Sequence, residues 1–328
     1  MREKIVGIPK NPKLKLALDE SLGADFKTAQ AEFESNQWVE LVPANQLDNS
    51  GYFLGIFTEN HKQQQTARNL EIELLSVNSV GLFQADLTPD PLSFGRLEEP
   101  IVDAINRLQP TFKRLIANQI LGQLLDVGRG SPLQVQAEIF GRGNAIKVAS
   151  RGAESGNPTA NLLQVTSRTN LQVKVDNFEN KDLYLGVLVI GTKGSINILY
   201  PADWEAPEEA SRIDRNGSLT VPRPGEGNFQ VQGESGATPQ LLLLVSQEPL
   251  RQALKAMQTI ARSRKISRGL ITSLTDDEPT DLINGLLEDL TGFSRSRQPD
   301  GDIVLTQDST PYETSTMAVL SAVIEVVS

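Results

Sequence analysis

Cysteine is missing from this chain of 328 residues, and its absence excludes several kinds of chemistry. Without a thiol the chain forms no disulfide, thiolate zinc site or iron–sulfur cluster, and it has no cysteine nucleophile. Histidine is almost missing as well, since His61 is the only one. One imidazole cannot build a site of several histidines, and a serine–histidine–aspartate triad would depend on that one position. His61 lies in the polar segment ENHKQQQ, which predicts a solvated loop, and we predict no cofactor and no metal.

Long apolar runs are missing too. The longest ones fall far short of the roughly 20 residues that cross a bilayer. No apolar core of a signal peptide follows the first residues, MREK. Acidic residues outnumber basic ones by 41 to 31, and the net charge of -10 opposes general binding to nucleic acid or anionic membranes. We therefore predict a cytoplasmic chain that spans no membrane and binds no nucleic acid.

What is present is the composition of a globular protein, with 39% hydrophobic and 22% charged residues. A chain of this length usually forms two domains. The segment GRGSP at 128–132 separates a mixed first part from a strand-rich second part. We predict an α+β fold, with a mixed α/β domain at 1–128 and an antiparallel, immunoglobulin-like β-sandwich at 129–328. The second domain is expected to carry a helical insertion at about 248–290.

The first domain combines strand and helix patterns. Residues 13–19, KLKLALD, alternate lysine with leucine as a half-buried strand does, and residues 25–33 fit a short helix. Residues 97–126 predict an amphipathic helix that Pro110 either kinks or divides into two. Further strands are predicted at 38–42, 52–57 and 79–87.

The second domain is dominated by strand patterns. Residues 133–140 and 171–178 alternate cleanly, and a stretch rich in glycine, serine and asparagine at 141–160 separates strands. The segment LYLGVLVIGTKGSINILY predicts a hairpin that closes at 191–194. Further strands are predicted at 218–222, 228–233, 240–246 and in the terminal segment TSTMAVLSAVIEVVS, and helices at 248–265 and 281–290.

Several segments invite a chemical interpretation that their context does not support. GRGS at 128–131 and GRGN at 141–144 extend to no phosphate-binding motif, so they predict a linker and a hairpin turn. The acidic segment TDDEPTD at 275–281 lacks the ligand alternation of a calcium loop and predicts a helix start. Acid pairs such as Glu288 with Asp289, or Asp300 with Asp302, predict exposed side chains rather than an acid–base pair.

The sharpest local charge feature is the basic segment ARSRKISRG. Basic side chains near the C-terminus of the predicted helix, followed by an exposed loop, explain this concentration of charge without a functional role. The functional alternative is a docking patch or a protease-sensitive loop, because proteolysis concentrates in exposed loops. The residues of this basic loop are Arg262, Arg264, Lys265 and Arg268.

The second domain also carries an ordered set of short landmarks. The segments LQVKVDNFENKDLYLGVLVIGTKGSINILYPADW, SLTVPRPGEGNFQV and LLLLVSQEPLRQALKAM contain an asparagine between two strands, then Gly-x-Ile-x-x-Leu-Tyr-Pro, Val-Pro and Leu-x-x-x-Ser-x-x-Pro-Leu. This order resembles the C-terminal, uncharacterised region of cyanobacterial caspase-like peptidases, also called orthocaspases. IPKNPKLKLALDESLG is similar to the segment that precedes that region in the family. The landmark residues, which we predict to be structural, are Asn177, Gly194, Tyr200, Pro201, Pro222, Ser246 and Pro249.

The resemblance implies a function without catalysis by this chain. The family's peptidase domain uses a histidine–cysteine dyad, and since this chain has no cysteine, no catalytic residue carries over. The chain is then an accessory, regulatory or interaction module whose partner is a caspase-like peptidase domain, in the same polypeptide or in another. Two alternatives stay open: an independent enzyme that works through carboxylates, and a stand-alone ligand- or protein-binding β-sandwich. In the last case Tyr200, Trp204 and Phe229 either present aromatic contacts or pack in the core.

Overall fold

A computed structural model gives the fold of most of the chain. It describes residues 5–9, 13–48, 51–67, 75–128, 131–150, 161–192, 195–201, 208–226, 228–250, 252, 309–313 and 316–328. The fold is a mixed α/β fold with several sheets and few helices among these residues. Within the same ranges, no helix is both long enough and apolar enough to cross a membrane.

The described elements are three α-helices and seventeen strands, with a few short 3-10 turns. The helices are α1 Phe26–Glu34, α2 Glu59–Ala67 and α3 Ile101–Gly128. The strands are β1 Ile5–Pro9, β2 Leu14–Leu18, β3 Val39–Leu41, β4 Tyr52–Ile56, β5 Val80–Gln84, β6 Val135–Gly141, β7 Asn144–Ala149, β8 Leu162–Thr166, β9 Asn170–Asn177, β10 Leu183–Ile190, β11 Ile196–Tyr200, β12 Arg212–Ile213, β13 Ser218–Val221, β14 Phe229–Gln230, β15 Gln240–Ser246, β16 Ser309–Glu313 and β17 Met317–Val327.

The chain divides into two compact units. One comprises Pro12–Gln119, and the other comprises Met1–Asn11 together with Ile120–Ser328. The division falls within α3, whereas the boundary that the sequence predicts, after residue 128, coincides with the end of that helix. Strand β1 belongs to the second unit because it pairs with β16, far away along the chain.

The unit 12–119 is built on a four-stranded sheet in the order β3-β2-β4-β5. Strand β2 is parallel to both of its neighbours, while β4 and β5 are antiparallel. Helix α1 makes the crossover from β2 to β3, since parallel strands need a long connection. Strand patterns predicted at 13–19, 38–42, 52–57 and 79–87, and the helix predicted at 25–33, are confirmed within one to three residues at each end.

Helix α3 continues through Pro110. Of the two outcomes that the sequence left open, a divided helix is therefore excluded. The proline ring lies on the exposed side, and the buried side of the same helix carries Phe112, whose ring meets Phe33 of α1 edge to face at 5.8 Å between ring centres. A proline costs a helix one hydrogen bond, and burial of the opposite apolar stripe offsets that cost.

The second unit contains two larger sheets. One has the order β11-β10-β15-β17-β8, with β12 also paired to β10, and the other has the order β13-β9-β6-β7, with β14 also paired to β9. A single hydrophobic cluster draws residues from both sheets, among them Ile139, Val173, Val187, Leu243 and Ile324. The predicted hairpin is confirmed, because β10 and β11 are antiparallel neighbours.

One strand pair departs from the antiparallel expectation. Strand β17 is antiparallel to β15 on one side but parallel to β8 on the other. The sequence gives no sign of this pairing, since strand direction depends on the path of the chain between strands and not on side-chain alternation.

Two further expectations are wrong. Residues 59–67 form helix α2 instead of a loop, although ENHKQQQTA has no apolar stripe. Residues 144–149 form strand β7, which pairs with β6, although the composition of 141–160 predicts a loop between strands. The predicted strand at 228–233 shortens to the two residues of β14. The helix predicted at 281–290 lies outside the described residues, and of the helix predicted at 248–265 only 248–250 and 252 are described.

Candidate functional site

A groove of about 680 Å³ lies on the second unit, beside the turn between β6 and β7. Three chain segments line it: the β6–β7 turn, the start of β9, and the loop that follows β13. Its volume falls within the range of about 300 to 1,000 Å³ that is usual for ligand sites. The lining residues are Phe140–Ala145, Asn170–Gln172, Pro222–Gly225 and Asn228.

The β6–β7 turn forms one wall. Its register pairs Gly141 with Asn144, so that Arg142 and Gly143 are the two loop residues. Gly143 has a φ of 87°, a conformation that glycine adopts without strain. Gly141 is required for another reason, because a Cβ atom there would come within 2.6 Å of a Val165 side-chain carbon. The sequence GRGN thus forms the predicted hairpin turn and presents the exposed side chain of Arg142.

The floor carries an aromatic ring on the outer face of its sheet. Strand β6 alternates between buried and half-buried residues, and Phe140 is one of the half-buried ones. Its side chain therefore points away from the core, on the other face of the sheet from its neighbour Ile139. Its neighbours in register are Gln172 on β9 and Ala145 on β7. The ring therefore offers apolar surface beside the polar side chain of Gln172.

The opposite wall is a rigid turn. Arg223 and Glu226 close it, since the Glu226 N–H donates to Arg223 O at 3.0 Å and the Arg223 N–H donates to a Glu226 carboxylate oxygen at 2.8 Å. Pro224 and Gly225, with a φ of 92° at Gly225, occupy the positions that a type II turn prefers for proline and glycine. Pro222 restricts the backbone on the other side of Arg223. The position of the Arg223 backbone is thereby fixed before any ligand binds.

The charge of the groove opposes that of the whole chain. Arg142 and Arg223 are the charged residues among the described lining residues, and the nearby Glu226 carboxylate, which accepts the Arg223 main-chain N–H, is not one of them. Neither guanidinium forms an ion pair with a carboxylate in the described part of the chain. Arg223 makes one long contact of 3.5 Å to the main-chain oxygen of Glu209. Two guanidiniums thus remain available for an anionic ligand.

Asn177 has a structural position, at the end of β9. It is 1% exposed, and the two N–H groups of its side-chain amide face three main-chain oxygens, so that one N–H is shared between two of them. The distances from the nitrogen to Lys181 O, Ile213 O and Asp214 O are 2.8, 3.3 and 3.1 Å. Its side-chain oxygen accepts the Glu179 N–H at 2.9 Å. One amide therefore joins the loop after β9 to the chain around β12.

Tyr200 ends β11 and is 2% exposed. Its hydroxyl donates to Ala210 O, and burial raises the pKa of the phenol to about 12. Phe229 is buried as well. The side chains of Tyr200 and Phe229 therefore pack in the core and present no aromatic surface, while Trp204 lies outside the described residues.

The remaining landmarks separate into described and undescribed positions. Ser246 is buried at the end of β15, where its hydroxyl donates to Glu248 O, and Pro249 follows it. Pro201 follows β11, and Pro222 lines the groove. Gly194, the basic loop of Arg262, Arg264, Lys265 and Arg268, and the acidic segments from 275 onward lie outside the described residues, so that their predicted roles stay predictions.

His61 is buried, not solvated, and the expectation of a polar loop is wrong. The His61 N–H donates to the Thr58 hydroxyl at 3.3 Å, and the Thr58 N–H lies 3.2 Å from Nδ1 of the imidazole. This reciprocal pair has the form of a capping box, with histidine in the place of the usual glutamate. Nδ1 also lies 3.1 Å from Ile56 O. A protonated Nδ1 donates to Ile56 O, whereas an unprotonated Nδ1 accepts the Thr58 N–H. The imidazole thus caps α2 and packs against Phe83, with 4.7 Å between ring centres.

The groove is not predicted from the sequence, although both of its arginines lie in conspicuous segments. GRGN was interpreted only as a phosphate cradle or a turn, and PRPG only as part of a landmark. The sequence does show an arginine in each of two tight turns. No local sequence pattern predicts that β9, which pairs with both β6 and β13, brings these two turns to one surface. In the described ranges, no three His, Asp or Glu side chains are grouped to hold a metal ion.

Comparison with protein-family models, with curated proteins and with solved structures gave no match to this chain.

Proposed function

We propose that this chain is a non-catalytic interaction module, and that it binds a caspase-like cysteine peptidase in the same polypeptide or in another. The observation that carries the binding role is the groove at Arg142 and Arg223, whose described lining residues all belong to the second unit. The peptidase as partner rests on the order of sequence landmarks. With no cysteine in its sequence, the chain contributes binding or regulation rather than a thiol nucleophile.

We further propose that the second unit is an immunoglobulin-like β-sandwich. Two sheets that contribute to one hydrophobic cluster support an immunoglobulin-like β-sandwich for the second unit. Asn177, Tyr200 and Ser246 support it further, since each hydrogen-bonds a main-chain carbonyl near a strand end. We place the module in the cytoplasm, as its sequence predicts.

The direct test is a titration of the purified chain against a purified cyanobacterial caspase-like peptidase domain by isothermal titration calorimetry. We expect saturable binding, and no binding to an inhibited trypsin-class peptidase as the control. The same preparations are assayed on peptides that contain arginine or lysine, where the chain alone should show no turnover. Absence of binding to the peptidase domain, or turnover by the chain alone, contradicts the proposal.

A stand-alone binding module is the second candidate, and the groove favours it because all of its described lining residues belong to one unit. The two candidates differ in the partner. If the peptidase domain does not bind while the groove binds another ligand, the stand-alone module is the correct one.

A further inference from the structure

We propose that the groove at Arg142 and Arg223 binds an extended acidic peptide segment, with carboxylates at the two guanidiniums and an apolar side chain on Phe140. This inference rests on the proposed function, since it identifies the chemistry by which the binding module recognises its partner. It adds a ligand class and the residues that select it.

The two arginines select for negative charge. Both line one groove of about 680 Å³, and none of its described lining residues supplies a carboxylate to neutralise them. Guanidinium binds carboxylate through two parallel N–H donors, which makes arginine suited to this anion. Arg223 is held in a turn between two prolines, so little of its backbone freedom is lost on binding.

The other polar side chains suit a peptide backbone. Asn170, Gln172 and Asn228 line the groove and are exposed, and Asn144, which also lines it, already donates a side-chain N–H to Gln164 O at 2.9 Å. A side-chain amide both donates and accepts, which matches the alternating N–H and C=O groups of an extended chain. Side-chain amides thus complement a polypeptide, whereas a phosphate ligand would use only their donors.

Phe140 provides the third element of recognition. It is half-buried on the outer sheet face, with its neighbours in register being Gln172 and Ala145. An aromatic ring beside cationic side chains favours a ligand in which an apolar residue stands between acidic ones.

Phosphate-rich polymers are the competing class of ligand, and the charge of the whole chain disfavours them. A net charge of -10 repels a polyanion at long range, while a short peptide with a few carboxylates carries too little charge to be excluded. The affinity for a short acidic peptide should still fall as salt is added, because the groove is open to solvent.

The experiment measures fluorescence anisotropy of labelled probes with the full chain. The first probe is the peptide Ser-Glu-Glu-Phe-Glu-Glu-Ser, the second has glutamine in place of every glutamate, and the third is a ten-residue oligothymidylate. We expect the glutamate peptide to bind at least about tenfold more tightly than the other two, since charge-assisted hydrogen bonds are roughly twice as strong as those between neutral groups.

Variants then identify the site. Arg142→Ala and Arg223→Ala should each weaken binding of the glutamate peptide by about tenfold or more, and the double variant should abolish it. Arg215→Ala is the matched control, because Arg215 is exposed on the same unit and does not line the groove. Arg223→Lys keeps the positive charge but loses the forked pair of N–H donors. Thermal unfolding followed by circular dichroism checks that each variant folds.

Three results overturn the inference: equal binding of the glutamate and glutamine peptides, an equal effect of Arg142→Ala and Arg215→Ala, or tighter binding of oligothymidylate. Its failure is distinct from failure of the proposed function. If the peptidase domain binds the wild-type chain and the double variant equally, the groove is not the docking site while the interaction module stands. If the glutamate peptide binds in the groove but the peptidase domain does not bind, the ligand class stands and the partner is wrong.

Discussion

Single buried polar side chains stabilise the second unit where strands end. Asn177 satisfies three carbonyls and one N–H, and Tyr200 satisfies a fourth carbonyl at Ala210. Both residues are almost completely buried. Because a buried carbonyl without a donor costs free energy, the loss of either side chain leaves a penalty beyond the bond itself.

Asn177→Asp tests this at the first position. A carboxylate keeps the acceptor for the Glu179 N–H but places negative oxygens against the three carbonyls that Asn177 now serves. We expect the free energy of unfolding to fall by about 3 kcal/mol, measured by urea unfolding. Asn180→Asp is the matched control, because Asn180 is exposed in the same loop and should change stability by under about 0.5 kcal/mol. Equal effects of the two substitutions would contradict the role of Asn177.

Tyr200→Phe tests the second position through its dependence on pH. Burial raises the phenol pKa to about 12 in the fold, whereas the unfolded value is about 10. The folded state therefore holds the proton more tightly, and stability contributed by the neutral phenol is complete below about pH 10 and is lost as the pH rises toward 12. Each pH unit in that window costs about 1.4 kcal/mol.

Phenylalanine removes both the titration and the hydrogen bond to Ala210. At pH 8 we expect the variant to be less stable than wild type by about 1 kcal/mol. Between pH 10 and 11 that difference should shrink by about 1 kcal/mol, as measured by urea unfolding at each pH. A difference that stays constant over this range would show that Tyr200 does not titrate as a buried phenol.

At the scale of elements, capping explains a helix that composition does not predict. Helix α2 is polar along its length, and its first turn depends on the reciprocal bonds between Thr58 and His61. Farther along, Gln65 donates through its side chain to Leu87 O at 2.9 Å. A capping pair within the first turn and a side-chain bond to a distant main-chain oxygen thus both contribute to the stability of this polar helix.

His61→Ala should therefore lower the free energy of unfolding by about 1 to 2 kcal/mol, from the lost cap and the lost contact with Phe83. A double-mutant cycle with Thr58→Ala should give a coupling energy of at least about 0.5 kcal/mol, measured by urea unfolding. Asn60→Ala is the matched control, since Asn60 is an exposed neighbour in the same turn. Additive effects of the two substitutions would exclude the capping box.

At the scale of the whole molecule, the last described strand completes a sheet built much earlier in the chain. Strand β17 lies between β15 and β8, and its buried side includes Ala318, Leu320, Ile324 and Val326. Without it, β8 loses the strand with which it pairs in the described part of the sheet. The stability of the second unit therefore depends on contacts between distant parts of the sequence.

Deletion of residues 317–328 should abolish cooperative unfolding of the second unit and make the chain aggregate, because it exposes apolar residues and two strand edges. Removal of Ser328 alone is the control, since this residue is exposed and lies outside β17. Thermal unfolding followed by circular dichroism and sedimentation of the soluble fraction provide the measurements. A truncated chain that stays soluble, with an unchanged spectrum and melting temperature, would contradict this role of β17.

The sequence by itself determined which segments are strands and helices wherever an apolar pattern marks them. Strands β6 and β9 alternate because one face of each packs against the core. Strand β15 is continuously apolar because its residues are buried on both faces. Only the tertiary structure decided the burial of His61, the parallel pairing of β8 with β17, and the meeting of Arg142 with Arg223 in one groove. Local patterns specify which way a side chain faces, but they carry no information on which distant segment lies beside it, since that depends on the path of the whole chain.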